Sequence, residues 1–146
     1  MTGKADFTLG EWELVLSGPP TAGLIVVTAQ RGGVFRETYA IGKAYAEARR
    51  LSGESQLLDE IVGARPERDH ARYRSAKELR QGGLKHLRDA IALLEQKATP
   101  AELAGYRRFV LAVADKVANA HREGDVNVSE SEQAAIEQIA KALGAD

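Results

Sequence analysis

Cysteine is absent from the 146-residue chain, which removes disulfides, thiolate catalysis and cysteine-ligated zinc and fits a reducing compartment. Aromatic residues make up only 5% of it, so strand formers are scarce. Neither sign of charge dominates, because 20 Lys and Arg meet 21 Asp and Glu for a formal net charge of -1. The molecule as a whole therefore carries no electrostatic signature for nucleic acid or an anionic membrane, and any such site must be local. Long hydrophobic runs are also missing. The apolar stretch Ala22 to Val27 falls far short of the ~20 residues of a spanning helix. Asp6, Glu11 and Glu13 precede it, where a secretory signal would be basic. The expectation is a cytoplasmic protein with no membrane insertion.

Helix formers fill what remains. Hydrophobic residues are 44% and charged residues 28%, the balance of an ordinary folded globule, and the length suits one domain over residues 1–146. The pattern predicts an all-α bundle of about seven helices. Thr8 with Glu11 forms a capping box that opens the first. Pro19 and Pro20 are expected to stop it and to open a second helix over about Thr21 to Gln30. Gly32 and Gly33 break that one, and a longer helix follows from Val34 to Leu51. Leu57, Leu58, Ile61 and Val62 mark a short apolar stripe. A charged surface helix is expected over Glu67 to Arg80, ended by Gly82-Gly83, and a core helix from Leu84 with Leu87, Ile91, Leu94 and Ala98 on one face. Thr99, Pro100 and Glu102 then start a central helix carrying Leu103, Tyr106, Val110, Val113, Val117 and Ala120. Gly124 ends it. Ser129 with Glu132 caps a last helix of Ile136, Ile139, Ala140 and Leu143, which Gly144 stops.

Two stretches are alike. Val27 to Glu37 and Val117 to Glu132 each end an apolar helix in a polar glycine turn and start another helix with glutamate. At Gly124-Asp125-Val126-Asn127-Val128-Ser129-Glu130-Ser131-Glu132, and again at Ile136 to Gly144, the sequence resembles the tellurite-resistance TerB-like family, most closely over about the last 50 residues. The resemblance implies an all-helical fold with helix–acidic-glycine-turn–helix elements and a non-enzymatic part in stress-response assemblies. Where the family's first turn carries an acidic residue, this chain has Gln30, Arg31, Gly32 and Gly33. Only Asp125, with Glu130 and Glu132, keeps the acidic character, which makes these three the weak candidates for a metal.

The residues themselves argue for modest chemistry. Asp125, Asn127 and Ser129 begin like a calcium loop, but Glu130 stands where the loop needs glycine and Ile136 where it needs a bidentate glutamate. A turn and a helix cap explain them better. Glu67 and His70 make one Glu-x-x-His unit, and an iron site of that type needs two. His70, His86 and His121 lack zincin spacing, and neither a nucleophile elbow nor a phosphate loop occurs. His86 and His121 read as solvent-facing or capping side chains. Gly32-Gly33 could cradle a phosphate, but a helix end explains the pair. No catalytic residue and no cofactor is therefore expected.

Charge is uneven along the chain. Residues Arg65 to Arg88 hold eight basic residues against three acidic ones, and Glu123 to Asp146 hold one lysine against six acids. Opposite poles point to docking with a charged protein partner or to homo-oligomer formation. The expected partner surface is Arg68, Arg72, Arg74, Lys77 and Arg80. The alternative use of the same 65–88 segment is a nucleic-acid or anionic surface with Tyr73 available for stacking.

Overall fold

The computed structural model describes residues 3–28, 34–50, 56–63, 75–120 and 130–144. Among the described residues the chain is helical without strands. A 3-10 turn at Lys4–Asp6 precedes α1 (Leu9–Thr28), α2 (Val34–Arg50), α3 (Gln56–Gly63), α4 (Ala76–Lys97), α5 (Pro100–Ala120) and α6 (Glu130–Ala142). None of these helices is long and apolar enough to cross a membrane. The all-α class holds among the described residues, where six helices stand against the about seven expected, and two breaks read from the sequence do not occur.

The first missing break is at the prolines. Pro19 and Pro20 lie inside α1, which continues to Thr28. Proline in a helix interior removes one hydrogen bond and crowds the carbonyl four residues earlier, at a cost of ~3 kcal/mol. Here tertiary packing outweighs that cost, because every residue from Val15 to Gly23 is buried and α1 packs against α2, α4, α5 and α6. A helix enclosed on all sides is held by its surroundings rather than by its own propensity.

The second is at Gly82-Gly83, which sits inside α4. That helix starts not at Leu84 but at the N-cap Ser75, whose side chain accepts from the Glu78 amide at 3.1 Å. The helix expected from Glu67 to Arg80 is thus part of α4 from Ala76 onward, and its earlier residues lie outside those described. Gly83 has a packing reason to be glycine. A Cβ built there would stand 2.9 Å from Ile25 Cδ1 and 3.0 Å from Thr21 Cγ2, so its absence lets α4 close on α1.

Elsewhere the periodicity was sufficient. Leu87, Ile91 and Leu94 of α4, Leu103, Tyr106, Val110, Val113 and Val117 of α5, and Ile139 with Leu143 at the end of α6 are buried. With Trp12, Ile25, Tyr45, Leu57 and Ile61 they join one hydrophobic cluster to which all six helices contribute. Each such aliphatic residue contributes about 1.5–3 kcal/mol when fully buried. α5 is central as expected, and α1 shares that position. Both described capping boxes close reciprocally: Thr8 with Glu11 at 2.8 and 3.2 Å, and Thr99 with Glu102 at 2.8 and 3.1 Å. Gly144 ends the last helix at φ 74, where a side chain would be strained, and Arg107 Nε donates to the Leu143 carbonyl at 2.6 Å.

Candidate functional site

Three places collect polar chemistry. The first is the outer face of α4. Lys77, Arg80, Lys85 and Arg88 are all exposed, and their three- and four-residue spacings through Gln81 put them on one side of the helix. Lys85 pairs with Asp89 at 3.0 Å, an exposed contact of little energetic weight. Of the five residues expected to form a partner surface, Lys77 and Arg80 are thereby placed on this face. Arg68, Arg72 and Arg74 lie outside the described residues, as do Tyr73, Asp125 and Ser129. Glu130 and Glu132 fall in the first turn of α6. Among the described residues, no three His, Asp or Glu side chains are grouped to hold a metal ion.

The second place is a buried polar seam where α1 carries its prolines. Pro19 offers no N–H to the Val15 carbonyl, and the hydroxyl of Tyr106, from α5, donates to that carbonyl at 2.8 Å instead. A Cβ on Gly18 would run into that hydroxyl, so glycine is what admits the tyrosine. Burial pushes the Tyr106 phenol well above its ordinary range, with Tyr45 adding to the effect, and burial does the same to Tyr45 against the opposing charge of Arg49.

One turn earlier, Ser17 Oγ donates to the Glu13 carbonyl at 2.9 Å, and His86 Nε2 lies 2.6 Å from Ser17 Oγ and 3.2 Å from the Leu14 carbonyl. His86 therefore faces the interior of α1 and is half-buried, where it neither points wholly to solvent nor caps a helix end. A serine beside a histidine is the beginning of a nucleophilic pair. Here the hydroxyl is buried and within reach of the Glu13 and Leu14 carbonyls of its own helix at 2.9 and 3.3 Å, so the pair ties α4 to α1. Sequence reasoning missed the seam because its partners come from three helices.

The third place is a cleft of about 270 Å³ between α2 and α5. Ala44 and Ala48 form one wall, Gly105, Ala112 and Phe109 the other, and Leu58 of α3 closes one end. Phe109 is itself fixed by an edge-on contact with Tyr45 at 4.9 Å between ring centres. The mouth is charged. Lys116 Nζ donates to Glu47 Oε1 at 2.7 Å, and that bond, together with the charges of Lys116, Arg50 and Lys43, holds the Glu47 carboxyl below the usual carboxylate range. Arg108 lines the cleft from α5, its guanidinium Nη2 3.9 Å from where a Gly105 Cβ would stand. The alanines of both walls are ordinary helix formers in sequence, which is why the pattern did not disclose the cleft.

No protein family, curated protein or solved structure matches the chain.

Proposed function

We propose that the chain is a non-enzymatic, cytoplasmic helical interaction module, TerB-like in kind, that docks an acidic protein partner through the basic face of α4. The observation that supports this reading is the exposed row Lys77, Arg80, Lys85 and Arg88, of which Lys77, Arg80 and Arg88 have no ion pair among the described residues. Unpaired cations on one rigid helix raise the encounter rate with an acidic surface and fix its orientation. The TerB-like part of the proposal rests on Gly124 to Glu132 and Ile136 to Gly144, and with it comes a place in a stress-response assembly.

The acidic segment Glu123 to Asp146 offers a second copy of the chain as one source of such a surface. A double charge reversal, Lys77→Glu with Arg80→Glu, tests the reading in affinity capture from the native cell and in sedimentation at low and high salt. Loss of a captured acidic protein, or of a salt-sensitive dimer, supports it. Titration with labelled DNA and RNA distinguishes the other use of this row. Binding that falls steeply with salt and disappears in the same variant would replace the protein partner with a nucleic acid.

A further inference from the structure

We propose that the cleft between α2 and α5 is a binding site for a small uncharged aromatic molecule of one or two fused rings. Volume sets the size. At about 270 Å³ the space exceeds the ~150 Å³ cavity that takes a benzene ring and lies just below the usual range of ligand pockets. A partner helix needs several side-chain pockets in a row and is too large for it.

The walls set the apolar character. Ala44 and Ala48 on α2 and Gly105 and Ala112 on α5 border the space, with Phe109 beside them and Leu58 at one end. Small residues at a helix pair normally let the two backbones approach; here they border open volume. Gly105 carries the most information. It is buried inside α5, where glycine is less stable than alanine, yet packing does not require it. A Cβ there would meet Leu58 Cδ2 and Arg108 Nη2 at 3.9 Å, an ordinary contact. Both residues line the cleft, so the missing methyl is cleft volume. Phe109 is fixed by its edge-on contact with the buried Tyr45, so the aromatic wall is preformed rather than assembled on binding.

The mouth sets the charge. Its ionic groups are already engaged: Lys116 Nζ donates to Glu47 Oε1 at 2.7 Å, and Arg108 has an interaction of its own within the fold. An ionic ligand would have to displace one of these contacts, exchanging one partly exposed ion pair for another with little gain. An uncharged ring asks for no such exchange and takes its affinity from the apolar walls. This site lies on α2, α3 and α5 and does not depend on the basic face of α4.

The test is titration of the full chain with indole, followed by amide NMR, with indole-3-acetate and tryptamine as anionic and cationic versions of the same ring. The expected result is saturable shifts confined to residues 43–50, 58 and 105–116, with neither charged analogue binding more than about fivefold tighter than indole. Gly105→Ala should weaken indole at least about fivefold while raising the melting temperature, a combination that a glycine needed for packing alone would not give. Ala112→Leu fills the cleft from an exposed position and should abolish the shifts while the protein stays folded. A charged analogue more than about fivefold tighter, shifts outside the cleft, unchanged affinity in either variant, or no saturation below about 10 mM would each overturn the assignment.

Discussion

The hydroxyl of Tyr106 stands 2.8 Å from the carbonyl of Val15, the acceptor that Pro19 cannot serve. A residue 91 positions away thus completes a helix that its own sequence interrupts. Tyr106→Phe keeps the ring and removes only the donor, leaving a buried carbonyl without its partner. The expected loss is about 1–3 kcal/mol, read as a lower denaturant midpoint with unchanged slope and a melting temperature several degrees lower. A variant as stable as the parent would mean that α1 tolerates its prolines through packing alone.

Both buried tyrosines tie stability to alkaline pH. Burial raises the phenol pKa of Tyr106 and of Tyr45 above the ordinary value near 10, so the unfolded chain releases these protons first as pH rises. Between the unfolded and folded values the native state holds more protons, and stability falls with pH. The stabilising contribution is fully present below about pH 10 and is lost above it, by roughly 1 kcal/mol per pH unit for each group. Denaturant unfolding measured from pH 8 to 11 should show this decline. Tyr45→Phe and Tyr106→Phe should each make it shallower.

The stripes on α4, α5 and α6 and the capping boxes at Thr8 and Thr99 were legible because they depend on neighbours three and four residues away. The two missing breaks were illegible for the opposite reason. Pro19 is tolerated through Tyr106, and Gly83 is required by Ile25 and Thr21, and neither relation leaves a local trace. The pattern Ser75-x-x-Glu78 does mark the true start of α4, and it competes with a glycine pair that reads as a stop. Of the expected partner surface, Lys77 and Arg80 find their place on α4. The cleft arises only where residues of α2, α3 and α5 are brought together.

Glycine at two helix positions should respond in opposite directions to alanine. Gly42 in α2 is exposed and a Cβ there meets nothing within 4 Å, so Gly42→Ala should stabilise by about 0.5–1 kcal/mol through helix propensity alone. At Gly83 the same gain is opposed by overpacking against Ile25 and Thr21, which costs typically about 1–3 kcal/mol in a filled core. Gly83→Ala should therefore come out at least about 1 kcal/mol less stable than Gly42→Ala. Thermal unfolding of the two variants side by side measures this. Equal effects would place α4 farther from α1 than described.

The seam also predicts where a proton sits. Ser17 Oγ has one hydrogen and lies within reach of the Glu13 and Leu14 carbonyls of its own helix at 2.9 and 3.3 Å, and donation to either leaves it an acceptor toward His86. His86 Nε2, 2.6 Å from Ser17 Oγ and 3.2 Å from the Leu14 carbonyl, has an acceptor on both contacts and must carry the hydrogen, since a bare lone pair there would face the Leu14 oxygen. These contacts favour the neutral ring with its proton on Nε2. Nitrogen NMR of the imidazole at about pH 9, where an ordinary histidine is neutral, should show a protonated Nε2 and an unprotonated Nδ1. Ser17→Ala should keep that form, because the Leu14 carbonyl still accepts. Finding the proton on Nδ1 would mean that Ser17 donates to His86 and gives up its bond to α1.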